Sequence, residues 1–144
     1  MLTTGILCLF GLGVSIYLTI VHFVGVQLLV CADTGIVNCT KVTTSAQSEL
    51  LGIPVAVLGL AYFVVACLFY SPWAWRSRNR RVHQARLTLS AVAMCFVLWL
   101  LAAEIIIIGS ICLWCTSVHL VTFILFITTV ALTPRLLDAT SDQI

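Results

Sequence analysis

Apolar residues in this chain run on rather than alternate. Four stretches are almost free of polar interruption: about 5–30 ("GILCLFGLGVSIYLTIVHFVGVQLLV"), about 53–72 ("IPVAVLGLAYFVVACLFYSP"), about 87–109 ("LTLSAVAMCFVLWLLAAEIIIIG") and about 111–133 ("ICLWCTSVHLVTFILFITTVALT"). A helix needs roughly 20 apolar residues to cross the hydrocarbon core, and in lipid only helices or closed barrels satisfy their backbone groups. Continuous runs of this length predict helices. The expected fold is an all-α membrane protein, a four-transmembrane-helix bundle forming a single domain over 1–144. Pro54 stands second in its run, where a missing N–H costs least, and Pro134 is expected to end the fourth helix. The first run does not read as a signal peptide: it lacks a basic leader and a small-residue cleavage site before Cys31, and it is too long.

The polar segments set orientation. Segment 73–86, "WAWRSRNRRVHQAR", carries Arg76, Arg78, Arg80, Arg81 and Arg86, five of the seven Lys and Arg residues. Such loops stay in the cytoplasm, and Trp73 and Trp75 suit the interfacial aromatic belt. Both termini are then expected in the cytoplasm, with loop 31–52 and the 109–112 turn facing outward. In loop 31–52, "CADTGIVNCTKVTTSAQSELLG", Asp33-Thr34-Gly35 signals a turn. Ser48 before "ELLG" is expected to cap a short helix lying on the surface.

Composition agrees with lipid as the solvent. The chain is 62% hydrophobic and 8% charged, against roughly 25% charged in a soluble domain. A net charge of +2 suggests no nucleic-acid partner.

Seven cysteines are many for such a chain. Cys8, Cys67 and Cys95 lie inside apolar runs and read as small packing hydrophobes. The other four, Cys31, Cys39, Cys112 and Cys115, come to the outer face, where disulfides persist. Cys112 and Cys115 are three apart and share a helix face. With Ser110 as N-cap, Cys112 falls in the first turn, where the macrodipole favours a thiolate, the attacking species in disulfide exchange. An inert disulfide is the bland alternative, and an all-thiolate zinc site with Cys31 and Cys39 is another. The Cys31/Cys39 pair alone reads as a loop-closing disulfide. Beside a CxxC on the same face it reads as a mobile pair that collects electrons for a helix-bound pair.

A dithiol at the bilayer lip can meet a lipid-soluble two-electron acceptor, and a quinone (menaquinone or ubiquinone) is the expected one, with no metal. His119 lies four residues after Cys115, one turn deeper; it either serves a quinone oxygen or a proton, or is satisfied by a neighbouring helix. Glu104 near the outer end of the third run is either interfacial and structural or assists protons. His22, roughly 13 Å below Cys31 at 1.5 Å per residue, is a weaker candidate.

Taken in order, Cys31-x7-Cys39, Ser45 six residues on, "LLGIPVAVLGLAYF" at 50–63 and "CLWCTSVHL" at 112–120 resemble the vitamin K epoxide reductase family in its bacterial form, over about 5–133. The resemblance implies four helices around a quinone pocket, with His119, Val55, Gly59 and Ser45 as its binding residues. It implies that Cys31 exchanges with a thioredoxin-like or DsbA-like partner, that Cys39 forms a transient disulfide with Cys112, and that Cys115 faces the quinone. Some bacterial members carry a fused thioredoxin-like domain; this chain ends soon after the fourth run, so a separate partner in or at the bacterial cytoplasmic membrane is expected. Animal members carry Tyr at the place of His119 and Asn at that of Val55, so simple quinone reduction is what the resemblance implies. Two alternatives stand beside it: a DsbB-like thiol oxidase of different ancestry, in which the order of CxxC and spaced pair is reversed, and a non-enzymatic four-cysteine metal-binding membrane protein.

Overall fold

The computed structural model describes residues 2–31, 34–77 and 79–141, with 135–141 as backbone alone. Among them the apolar runs become helices: α1 Leu2–Val24, α2 Cys39–Thr43, α3 Val55–Phe69, α4 Pro72–Arg76, α5 Arg80–Ala102 and α6 Leu113–Ser141. A two-stranded hairpin, β1 Glu49–Leu50 with β2 Ile53–Pro54, precedes α3.

Three segments are long and apolar enough to cross a membrane: Leu2–Val24, Arg80–Ile108 and Leu113–Pro134. The second predicted run differs. Its helix, α3, has 15 residues and rises about 22 Å, against a hydrocarbon core of roughly 30 Å. The hairpin takes Ile53 and Pro54 at one end, and Ser71 with Pro72 starts α4 at the other. The first run also ends early: Gly25 takes φ 134, and Val26–Leu28 tightens into a 3-10 turn.

The connecting segments correct the sequence reading in three places. Ser48 caps no helix; its hydroxyl donates back to the Ser45 carbonyl at 2.7 Å, and the chain enters the hairpin. Leu51 and Gly52 both take positive φ, 54° and 79°, as a two-residue hairpin turn requires. The arginine segment is largely helical. Ser71 caps α4 by accepting from the Ala74 N–H, and Asn79 caps α5 by accepting from the Arg81 N–H. Pro134 does not end the last helix, which continues to Ser141, although the apolar span Leu113–Pro134 ends there. The turn at 33–35 is described only from Thr34, which bridges to Val37 around Gly35 at φ 59; Asp33 and Arg78 lie outside the described residues.

Packing leaves apolar side chains on the outside, as lipid permits: Leu9, Phe23, Ile106, Leu120 and Ile127 are all exposed. One buried cluster lies toward the arginine end, built from Cys8, Phe63, Ala66, Tyr70, Trp75, Val121 and Leu125. Gly11 lets α1 approach α3 closely there, because a Cβ at this position would collide with the Phe63 ring. Small residues at such crossings let membrane helices pack. Fully buried Arg86 closes this end. Its guanidinium lies 3.6 Å from the Trp75 ring centroid, and it donates to the Phe69 carbonyl at the C-terminus of α3 and to His83 Nδ1. The second buried cluster, at the opposite end, holds the cysteines.

Candidate redox site

Backbone pairing brings the two cysteine motifs together. The segment before α2 runs parallel to the segment before α6, with Val37 bridged to Ile111. The Ile111 N–H donates to the Ile36 carbonyl at 2.9 Å, and the Asn38 N–H donates to the Ile111 carbonyl at 3.1 Å. Each chain then turns into a helix, so Cys39, after Asn38, and Cys112, after Ile111, emerge side by side. Both are fully buried and share one cluster with Val42, against which Cys31, Trp114 and Cys115 pack.

Each sulfur sits at a helix start. Asn38 caps α2 through Oδ1, which accepts from the Lys41 N–H at 2.7 Å, and Cys39 is the first helical residue. At α6 the expected cap is displaced: Ser110 is not the N-cap, and Cys112 takes that place. The Cys112 carbonyl accepts the first helical bond from the Thr116 N–H at 2.8 Å, and its Sγ accepts from the Cys115 N–H at 3.4 Å. This is the geometry of a capping oxygen, with sulfur in the oxygen's position. Ser110 is used elsewhere: its N–H donates to the Glu104 carbonyl at 3.1 Å. The hydrogen bond from the Cys115 thiol, aided by the N–H groups of Cys115 and Trp114, holds the Cys112 thiol below the ordinary cysteine pKa, while burial and the Glu104 carboxylate oppose this. Hydrogen bonds to the charged form outweigh desolvation here.

Cys31 and Cys39 form a disulfide, and Cys112 and Cys115 are free thiols. With two of the four sulfurs joined, no four-thiolate metal set is assembled, and among the described residues no group of three or more His, Cys, Asp or Glu side chains could hold a metal ion.

Inward of the thiols lies a cavity of about 710 Å³, walled by α1, segment 42–50, α3, α5 and α6. Its walls include Cys115 and, of the pocket residues expected from sequence, Ser45, Val55, Gly59 and His119. Ser45 spends its hydroxyl locally, on the Val42 carbonyl. Three buried polar atoms of cavity-lining residues have no hydrogen-bond partner: Tyr62 Oη, Glu104 Oε2 and His119 Nδ1. Buried polar atoms are paired in the great majority of cases, and three of the exceptions among the described residues belong to the wall of this one cavity. Tyr62 was not singled out from sequence; its signal is a hydroxyl inside an otherwise apolar run. At the mouth, His22 Nε2 and Glu49 Oε1 are 3.9 Å apart.

A disulfide and a dithiol held together at one end of a bundle of apolar helices are the parts of a membrane thiol–disulfide oxidoreductase. The model of the vitamin K epoxide reductase family matches residues 2–130, and the chain belongs to that family. Membership sets aside a DsbB-like ancestry. No curated protein matches the chain.

Proposed function

We propose that this protein carries electrons from a reduced thioredoxin-like or DsbA-like partner through Cys31/Cys39 and Cys112/Cys115 to a membrane quinone, menaquinone or ubiquinone, and so sustains disulfide formation outside the bacterial cytoplasmic membrane. In this account the chain is one transmembrane domain. α3 completes a four-helix crossing, the arginine end and both termini face the cytoplasm, and the cysteine end faces outward.

The steps balance as thiol exchange. A partner thiolate attacks Cys31 of the Cys31–Cys39 disulfide, and a second partner thiol resolves the mixed disulfide, leaving two thiols here and a disulfide on the partner. The Cys39 thiolate attacks Cys112 of a Cys112–Cys115 disulfide and releases Cys115 as a thiolate. Cys31 then attacks Cys39, restoring the Cys31–Cys39 disulfide and leaving a Cys112/Cys115 dithiol. The quinone supplies a two-electron, two-proton sink that returns the dithiol to a disulfide.

The observation that carries the proposal is the parallel pairing of Val37 with Ile111, which sets Cys39 against Cys112 while Cys115 borders the cavity. The cavity falls within the 300–1,000 Å³ usual for small-ligand sites. Its wall is mainly apolar, and the unpaired Tyr62 hydroxyl and His119 ring nitrogen suit quinone oxygens, with Val55 and Gly59 against the ring.

The test is quinone-dependent oxidation of a reduced thioredoxin-like protein by the purified protein in vesicles, with each of the four cysteines changed to Ala in turn. C112A and C115A are expected to abolish quinone reduction, and C31A to abolish reaction with the partner. Full activity in C112A or C115A would overturn the proposal.

A further inference from the structure

The apolar segment Arg80–Ile108 changes its winding just before the CxxC. Residues 103–108 form a π turn, in which the Glu104 carbonyl accepts from the N–H groups of both Gly109 and Ser110. Gly109 ends the turn in the left-handed region, φ 62. The extra residue per turn decides which side chains face lipid. Ile105, Ile106 and Ile107 are 63%, 80% and 62% exposed, whereas Glu104 is 4% exposed. π turns recur at functional sites, and an ionisable group inside a membrane helix is costly unless it serves a function.

Among the described residues no cation is paired with this carboxylate: Lys41, on the α2 helix that packs against the π turn, is exposed. The titratable groups of the cavity wall and of the adjoining turn are His22 from α1, Glu49 from β1, Tyr62 from α3, Cys112 before α6, and Cys115 and His119 on α6. His22 is near Glu49. On the thiol side, the Cys112 backbone N–H interacts with the Glu104 carboxylate, and Oε2 remains buried without a partner. The carboxylate also acts electrostatically on both thiols, Cys112 and Cys115.

We infer that Glu104 is the proton carrier of the Cys112/Cys115 dithiol: its carboxylate takes a thiol proton as the thiolate forms and gives it up on the cavity side. The inference rests on the quinone reading above. Oxidising the dithiol forms one S–S bond and releases two electrons and two protons; a quinone takes up both electrons and both protons, so Glu104 ends each cycle in the state in which it began. Glu104 meets the Cys112 backbone N–H, belongs to the cavity wall and keeps Oε2 unpaired, which gives the carboxylate a thiol side and an acceptor side. His119, also unpaired and bordering the cavity, serves the acceptor.

E104Q keeps the shape and the oxygen that faces the Cys112 N–H but cannot carry a proton. It is expected to slow dithiol oxidation by about 100-fold, the range of positioned acid–base groups, and to flatten the pH dependence of the rate. The quinone KM should stay within about threefold, and E104D should recover part of the rate. A readout without quinone accompanies these: the pH titration of the Cys112 thiolate by ultraviolet absorbance, with C112S as blank. Removing the carboxylate charge should move that titration to lower pH. Wild-type rate and pH profile in E104Q would overturn the inference, as would an unmoved Cys112 titration together with a loss of melting temperature that E104D fails to restore. If the wild type reduces no quinone while the E104Q titration still shifts, the quinone reading fails and the thiol–carboxylate coupling stands.

Discussion

Trp114, between the two cysteines of the CxxC, donates its indole N–H to the carbonyl of Val30, the residue before Cys31, at 2.8 Å. The other backbone group of Val30 is held too: its N–H donates to the Tyr17 hydroxyl at 2.8 Å, and that hydroxyl donates to the Leu28 carbonyl. The Tyr17 and Trp114 rings meet with centroids 4.9 Å apart. The arm that carries Cys31 is thus fastened to the start of α6, beside Cys112 and Cys115.

W114F keeps a ring against Tyr17 and loses the donor. One net hydrogen bond is worth about 1 kcal/mol, roughly fivefold in an equilibrium. The ratio of Cys31–Cys39 to Cys112–Cys115 disulfide, read by thiol trapping and peptide mass analysis, should shift by about that factor. An unchanged ratio would show that the arm is held by other contacts.

Cys112 should titrate below an ordinary cysteine. Its charged form is favoured in the folded state, first by the Cys115 thiol. The sign follows from linkage: the stability contributed by this group is full above the unfolded-state pKa and is lost as pH falls through the folded value. C115A removes the leading donor, and the Cys112 thiolate absorbance should then appear at higher pH than in the wild type. A C115A titration coincident with wild type would assign the effect to the helix start alone.

G11A tests the α1–α3 contact. The added methyl collides with the buried Phe63 ring, and overpacking of this kind costs roughly 1–3 kcal/mol. The melting temperature in detergent should fall, and F63L in the same chain should recover part of the loss, because residues in contact couple. Additive effects of the two changes would mean that the helices separate instead of repacking.

What the residues announced in advance, and what they hid, divides along physical lines. Lipid leaves little freedom, so uninterrupted apolar runs disclosed α1, α5 and α6, and the order and spacing of Cys31, Cys39, Cys112 and Cys115 disclosed the family and the end of the bundle where these cysteines gather. The turn chemistry was less legible. "ELLG" has the composition of a helix, and only the pairing of Leu50 with Ile53 around Gly52 makes it a hairpin. Ser110 is the better capping residue by propensity, yet the π turn claims its N–H and the cap passes to a sulfur. Pro134 closes the apolar run, yet the helix continues past it to Ser141. The ring-to-backbone bond from Trp114 to Val30 spans 84 positions, and no local pattern carries such a contact.

The central claim is that electrons cross between the outer pair and the CxxC through Cys39 and Cys112. C31A removes the thiol that would resolve this link. The Cys39 thiolate can still attack Cys112 of an oxidised CxxC, and the resulting Cys39–Cys112 disulfide should accumulate. Non-reducing digestion and mass analysis of C31A from membranes, with thiols blocked before lysis, should recover the peptide containing Cys39 joined to the peptide containing Cys112, and C31A/C112A should lack it. A C31A protein in which Cys39 stays unpaired, or is joined to Cys115, would contradict the account.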